Sequence, residues 1–227
     1  MARTLDPLRY AVKRDAFIDA GTRLIQTKGY EQLSIQELLD ELGTSKGAFY
    51  HYFGSKGDLL EAVVERMADA VEVQWADPMT RPSLSAVQRL ESVFAITAQW
   101  KNARRDLVIA VIDAWLSDHN AIVREKLRQL VAGRMTGLLQ MILRQGVADG
   151  DFTVTDPDAS AHVLVGLIQT AQERALELFV ARQDGRAAFG DVERSFTAFQ
   201  EAFERIVGAP PNTVHFVSHD TLELWFS

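Results

Sequence analysis

The sequence predicts an all-α protein, and three observations support this fold class. Apolar residues recur three and four positions apart over most of the 227 residues, which is the spacing of one face of a helix. Apolar and polar residues rarely alternate, as they would in strands, before the C-terminal tail. Gly, Pro, Ser and Asp residues divide the chain into stretches at positions where helices commonly begin or end.

The first two helices are marked by clear start and stop signals. The first is expected over residues 7–28, where Gly29 can end it in a left-handed conformation. Ser34 opens the second helix, and Glu37 follows three residues later, so the pair is expected to form a capping box. Gly43 closes this helix and supplies a tight turn.

A third helix is expected over residues 45–52 and ends before Gly54. Ser55 caps a long fourth helix that runs to about residue 75. Pro78 and Pro82 are expected to break the helical pattern after it. The remaining helices are expected at residues 83–101, 103–116, 120–148, 157–183 and 189–207.

The tail after residue 208 has a different character. Two prolines interrupt the chain, and the last fifteen residues are rich in aromatic and β-branched side chains. This composition fits either a short pair of strands or an apolar arm packed on the body of the protein.

Composition and motifs exclude several classes of function. The chain has no cysteine, which rules out disulfides, thiolate metal sites and cysteine catalysis. The sequence contains no Gly-rich phosphate loop, nucleophile elbow or HExxH motif. His215 and His219 have helical metal-ligand spacing but lack a third ligand nearby, so no metal or other cofactor is expected.

The N-terminus lacks the apolar segment of a secretory signal, and the apolar runs are far shorter than the roughly 20 residues of a membrane span. A cytoplasmic protein is therefore expected. Net charge is −7, but residues 1–56 carry eight Lys or Arg against seven Asp or Glu. The negative charge therefore lies outside residues 1–56. This distribution permits a local contact of the N-terminal segment with nucleic acid, although a mixed solvated surface would give the same counts.

Two short helices joined by a tight turn, after a longer helix, describe a helix-turn-helix. Residues 44–56 are small, hydroxyl-bearing, basic or aromatic at nearly every position. A helix that enters the major groove needs small residues for close approach, and hydroxyls and cations for phosphates. Gly47 costs a helix about 1 kcal/mol, so its presence indicates such an approach.

The stretch SIQELLDELGTSKGAFYHYFGSKGDLLEAVV resembles the N-terminal domain of the tetracycline-repressor (TetR) family. The Gly turn, the recognition helix of small residues, Tyr-x-x-Phe and Ser-Lys occur in the family order over about residues 17–64. Phe49, Gly54 and Gly57 depart from the commoner Leu, Pro and acidic residue and should loosen the corner slightly. The resemblance implies DNA contacts at Ser34, Thr44, Ser45, Lys46, Gly47, Ala48, Tyr50, His51 and Lys56.

Within this set, the resemblance implies that Tyr50 and Lys56 contact phosphates. Outside it, Phe49 and Phe53 would lie in the core. Each contact has an ordinary alternative, because Tyr50 could be a partly buried helix residue and His51 could be a surface histidine. A basic N-terminal arm that reaches DNA or is merely solvated would comprise Arg3, Arg9, Lys13 and Arg14.

The resemblance also implies a ligand pocket in the C-terminal half. The apolar candidates, which could equally be core, are Phe94, Trp100, Ile112, Trp115, Met135, Leu139 and Met141. The polar candidates, which could equally face solvent, are Asp113, Gln169 and Glu173.

The expected organisation is a helix-turn-helix domain (residues 1–56), a helical ligand-binding and dimerisation domain (57–207) and a tail (208–227). Two copies would pair through the last two long helices, and their recognition helices would lie about 34–36 Å apart. The candidate dimer contacts are Leu164, Leu167, Ile168, Ala171, Phe196, Phe199 and Phe203.

The function implied is a homodimeric regulator, usually a repressor, that binds a pseudo-palindromic operator. A small apolar or amphipathic effector would release it by favouring a state in which the long fourth helix has swung. The alternatives are an effector-independent architectural regulator and, from a different class, an enzyme or ligand carrier on a helical bundle.

Overall fold

A computed structural model of the protein describes residues 7–117 and 120–227. In these residues it contains ten α-helices and no strand, which confirms the all-α prediction. The helices are α1 (Pro7–Lys28), α2 (Ile35–Leu42), α3 (Lys46–Tyr52), α4 (Lys56–Thr80), α5 (Ala86–Asn102), α6 (Arg105–Leu116), α7 (Ala121–Asp149), α8 (Pro157–Gln183), α9 (Phe189–Val207) and α10 (His219–Phe226). Arg3 of the predicted basic arm lies outside the described residues.

The chain divides into two compact units. The first comprises Met1–Ala70 and Arg104–Gln129, and the second comprises Val71–Ala103 and Leu130–Ser227. The division predicted after residues 56 and 207 is a functional one and stays a prediction. No helix in the described ranges combines the length and the apolar character that crossing a bilayer requires.

Local signals place the first helices where the sequence predicts them. Gly29 and Gly43 end α1 and α2 with φ angles of 83° and 57°, in the left-handed region that favours glycine. The Ser34 hydroxyl accepts a hydrogen bond from the backbone N–H of Glu37, whose carboxylate accepts the backbone N–H of Ser34. The predicted capping box is therefore confirmed.

The break predicted around Pro78 is wrong, because α4 continues through this residue to Thr80. Proline removes only one backbone donor here, in the last turn of the helix. The Arg89 guanidinium donates to the backbone carbonyl oxygens of Met79 (2.5 Å) and Arg81 (2.8 Å). These bonds satisfy carbonyls that the end of the helix would otherwise leave without a partner.

The tail is an apolar arm that ends in a helix, so the alternative of paired strands is wrong. The Glu204 side chain is almost fully buried, and its carboxylate accepts backbone N–H bonds from residues 212, 213 and 214 at 3.1, 2.8 and 3.0 Å. The Phe216 ring packs on those of Phe94, Phe199 and Phe203, with centroids 4.6, 4.9 and 4.8 Å away. The arm thus belongs to the core of the second unit.

This packing changes the set of candidate dimer contacts. Leu164, Ile168 and Phe203 are only 0, 4 and 0% exposed within a single chain, so they offer almost no surface to a second copy. The other four candidates are half-buried: Leu167, Ala171, Phe196 and Phe199. The rings of Phe196 and Phe199 already pack on Phe226 and Phe216 of the tail.

Candidate nucleic-acid interface

Two phenylalanines fix the orientation of α3. Phe49 and Phe53 are 0 and 3% exposed, and their rings meet the edge or face of Phe17 on α1 at centroid distances of 5.6 and 6.2 Å. Their predicted place in the core is confirmed. Residues 49 and 53 lie on one face of the helix, and the side chains of Lys46, Tyr50 and His51 are exposed on its other faces.

The turn between α2 and α3 is held by hydrogen bonds from both sides. The backbone N–H of Thr44 donates to the carbonyl of Leu39 at 3.0 Å. The Ser45 hydroxyl accepts the backbone N–H of Ala48 at 3.3 Å, so Ser45 caps α3. A fixed turn sets the angle between the two helices before any ligand binds.

The outer face of α3 is polar and carries no acid. Lys46, Gly47 and His51 are exposed, and 47% of the Tyr50 surface is accessible. The Lys46 ammonium nitrogen lies 5.9 Å from the centroid of the Tyr50 ring. No Asp or Glu occurs from residue 44 to residue 57, so nothing within this stretch of sequence repels a phosphate.

An open groove of about 640 Å³ runs between α1 and the helix-turn-helix. Five of the nine predicted DNA-contacting residues line it, namely Thr44, Ser45, Gly47, Ala48 and His51. Lys13 of α1 lines the same groove, which places one residue of the predicted basic arm beside α3.

Sequence reasoning missed Tyr10, which packs on the side of α3. Its ring centroid lies 5.6 Å from that of His51 and 4.7 Å from that of Tyr52. The signal was present in the spacing, because Tyr10 precedes the buried Phe17 by seven residues, or two helical turns.

The start of α4 is capped as predicted. The Asp58 carboxylate accepts hydrogen bonds from the backbone N–H of Gly54 and the hydroxyl of Ser55, both at 2.9 Å. The Ser55 hydroxyl accepts the backbone N–H of Asp58 at 3.1 Å. This exchange anchors the end of α3 to the first turn of α4.

Lys56 is half-buried at this junction. Its ammonium nitrogen lies 4.3 Å from the centroid of the Tyr30 ring and donates to the backbone carbonyl of Glu31 at 3.2 Å. Burial lowers the pKa of Lys56 below its usual value, and burial, assisted by the negative charges of Glu31 and Asp58, raises the pKa of Tyr30 to about 12. The cation is thus tied to the connection between α1 and α2.

Ser34 is exposed, but its hydroxyl is engaged in the capping box. Its partner Glu37 also accepts a hydrogen bond from the Lys28 ammonium at 2.5 Å. The Lys28 bond, followed by the Ser34 bonds, lowers the pKa of Glu37 to about 2. Any contact of Ser34 with DNA would be made by a residue whose position this network already holds.

The candidate ligand-binding residues fall in both units. Ile112, Asp113 and Trp115 lie on α6 of the first unit, and Asp113 is exposed. Six other candidates lie in the second unit: Phe94, Trp100, Met135, Leu139, Gln169 and Glu173. Three of them are buried, namely Trp100, Met135 and Leu139. Glu173 is exposed, and the further candidate Met141 exposes 53% of its surface. Two open grooves, the one beside α3 and one along α9, are lined by other residues.

Across residues 7–117 and 120–227, no three His, Asp or Glu side chains are grouped as metal ligands would be. The two tail histidines have carboxylate neighbours instead. His215 Nδ1 lies 2.9 Å from Glu91 Oε1, and His219 Nε2 lies 3.2 Å from Glu223 Oε1.

Comparisons with known proteins bear on this interface. The family model for bacterial regulatory proteins of the tetR family matches residues 17–63. The uncharacterized HTH-type transcriptional regulator YwcC of Bacillus subtilis (strain 168) is 34% identical over 85 residues, which are 35% of this chain and 38% of YwcC. The HTH-type transcriptional repressor AcnR of Corynebacterium glutamicum is 27% identical over 119 residues, 51% of this chain and 62% of AcnR. The chain thus spans less than two thirds of either relative.

The fold likeness extends further than the sequence likeness. The crystal structure of full-length native TylP, a tetR regulator from Streptomyces fradiae, matches with a TM-score of 0.55 at 23% identity. The match covers 96% of this chain and 97% of that chain. The arrangement of helices is therefore shared well beyond the matched N-terminal segment.

Proposed function

Because residues 17–63 match the family model for bacterial regulatory proteins of the tetR family, we propose that this chain is a DNA-binding transcriptional regulator that acts in the cytoplasm. One observation carries the proposal. Five of the nine residues expected to contact DNA line a single open groove, on a helix whose inner face is fixed by Phe49 and Phe53. Relatives named as regulators, and not as enzymes, support it.

In this proposal α3 enters the major groove of operator DNA. Gly47 and Ala48 let the helix backbone come close to the bases, because neither carries a side chain beyond Cβ. Lys46 and Tyr50 would contact phosphates on the outer side of the helix, which sets the register of the protein on the duplex without reading sequence. Lys56 would add a phosphate contact if its ammonium leaves the Glu31 carbonyl.

The operator would be a pseudo-palindrome bound by a homodimer. Exposed small or short side chains on α8 and α9 would let helices of two copies approach closely: Gly166, Thr170, Thr197 and Ala198. Val163 on α8 exposes 59% of its surface and would be covered. An open groove of about 420 Å³ along α9 adds concave surface to this face. Size-exclusion chromatography with light scattering tests the dimer, which Gly166→Arg should dissociate and Glu177→Arg should not.

We propose further that a small apolar or amphipathic effector releases the DNA. It would bind among the candidate ligand-binding residues of the second unit. It would shift the equilibrium between conformations only to the extent that it binds the state that does not fit the operator more tightly. A second candidate function is a regulator that needs no effector. It is favoured by the burial of Trp100, Met135 and Leu139, because buried side chains offer no open pocket to a ligand. A screen for compounds that lower DNA affinity separates the two.

Fluorescence anisotropy with duplexes tiled across the DNA that flanks the gene tests the proposal. We expect one duplex to bind tightly and the affinity to fall steeply with salt, since each neutralised phosphate adds about −0.9 to the slope of log K against log salt. Tyr50→Ala and Lys46→Ala should weaken binding. Arg186→Ala, which removes an exposed positive charge of the second unit, is the matched control and should not. Failure of every duplex at low salt would refute DNA binding near the gene.

A further inference from the structure

An aromatic cluster joins α1 to the outer side of α3. The rings of Tyr10 and His51 lie 5.6 Å apart at an interplanar angle of 76°, and those of His51 and Tyr52 lie 5.0 Å apart at 77°. Tyr10 and Tyr52 contact each other at 4.7 Å. The His51 imidazole therefore meets two tyrosines, one from its own helix and one from α1.

Tyr10 lies outside the segment that the family model matches. The family match begins at Phe17, seven residues after Tyr10. The contact with His51 therefore involves a residue of α1 that precedes the matched segment.

The cluster leaves one side of His51 open. His51 is exposed to solvent and lines the groove that also contains Ser45 and Gly47. An imidazole with rings on two sides has fewer accessible rotamers than one on an open helix surface, so less side-chain entropy is lost when it forms a hydrogen bond. A perpendicular ring arrangement is also the favourable one for aromatic pairs.

We propose that Tyr10 is a positioning residue that holds the His51 imidazole ready to hydrogen-bond a base edge in the major groove. The inference rests on the proposed DNA-binding function. A neutral imidazole offers one donor and one acceptor, which suits base edges because each presents acceptors, donors or both. Tyr10 itself makes no contact with DNA in this arrangement, and α1 influences which sequence is bound through His51.

A purely structural role for Tyr10 is the competing explanation, because its ring also packs on Tyr52. The two roles differ in a double-mutant cycle on the tightest-binding duplex. A positioning role predicts that Tyr10→Ala weakens binding about three- to tenfold in the wild type and has almost no effect in His51→Ala. Tyr10→Phe keeps the ring and should bind like the wild type.

Two further readouts separate positioning from general loosening. Tyr10→Ala should leave the salt dependence of binding unchanged, since no phosphate contact is lost. It should also reduce the discrimination between the operator and duplexes with single base changes facing His51. An equal loss of affinity in the wild-type and His51→Ala backgrounds would overturn the proposal and leave Tyr10 as a structural residue.

Nuclear magnetic resonance of the imidazole keeps this test distinct from that of DNA binding. The His51 ring signals, assigned by their disappearance in His51→Ala, should move in Tyr10→Ala and stay in place in Tyr10→Phe. Unmoved signals in Tyr10→Ala would contradict the ring contact itself. If the His51 signals move in Tyr10→Ala but the protein binds no duplex, both the proposed function and this proposal are overturned. If the protein binds DNA but the double-mutant cycle shows no coupling between Tyr10 and His51, this proposal alone is overturned.

Discussion

Replacing Phe216 by alanine should destabilise the second unit strongly. The Phe216 side chain is 7% exposed and contacts three other phenylalanine rings at centroid distances of 4.6 to 4.9 Å. Truncation of a buried phenylalanine costs about 3–5 kcal/mol, from lost transfer energy and the remaining cavity. Because the arm can partly collapse into the space, we expect a cost near the lower end, about 3 kcal/mol.

Urea denaturation followed by circular dichroism and by tryptophan fluorescence measures this cost. The slope of the free energy of unfolding against urea should stay unchanged while the midpoint falls. Leu224→Ala, on α10 of the same C-terminal tail but 46% exposed, is the matched control and should change stability by about 0.5 kcal/mol or less. A Phe216→Ala cost below about 1 kcal/mol would show that the arm is not part of the core.

Three further predictions follow from the buried, capping and DNA-facing groups. Glu204→Gln, which cannot accept all three backbone N–H bonds as a carboxylate does, should lower the free energy of unfolding by about 1–3 kcal/mol in the same denaturation assay. Glu37 has a pKa of about 2 in the folded protein, lowered from 4.5. The stabilisation that its carboxylate gives the fold is therefore present above pH 4.5 and is lost as the pH falls toward 2. Tm measured against pH should fall less steeply over this window in Glu37→Gln than in the wild type. Lys46→Ala should make the salt slope of DNA binding less negative by about 0.9, and an unchanged slope would show that Lys46 contacts no phosphate.

Short-range signals made much of the first unit predictable. A glycine in the left-handed region, as at Gly43, and a Ser-x-x-Glu capping box, as at Ser34 and Glu37, act within one turn of chain. Their geometry depends on local backbone sterics and hydrogen bonds. The burial of Phe49 and Phe53 was expected from the resemblance to the family.

Features that depend on distant partners were not predictable in the same way. Helix α4 passes Pro78 because Arg89, eleven residues later, supplies hydrogen bonds to the helix end. The tail packs where it does because a buried carboxylate, Glu204, collects its backbone N–H groups. Tyr10 reaches His51 only once the two helices are packed. The hydrogen bonds of Arg89 and Glu204 leave no periodic trace in the sequence, and the spacing of Tyr10 from Phe17 indicates only the helix face on which Tyr10 lies.

The candidate ligand-binding residues show the same limit. Met and aromatic residues at helical spacing are found both in cores and in pockets, and the pattern cannot separate the two. The structure packs Trp100, Met135 and Leu139 inside the protein and exposes Glu173. An effector would have to displace neighbouring side chains to reach the buried members of this set.

Hydroxyl-radical footprinting of the tightest-binding duplex tests the central claim, that α3 places this protein in the major groove of specific DNA. We expect two protected half-sites whose centres lie about 34–36 Å apart, one helical turn of DNA, and the loss of both in Tyr50→Ala. Uniform weak protection along the whole duplex, or a footprint that Tyr50→Ala leaves intact, would contradict it.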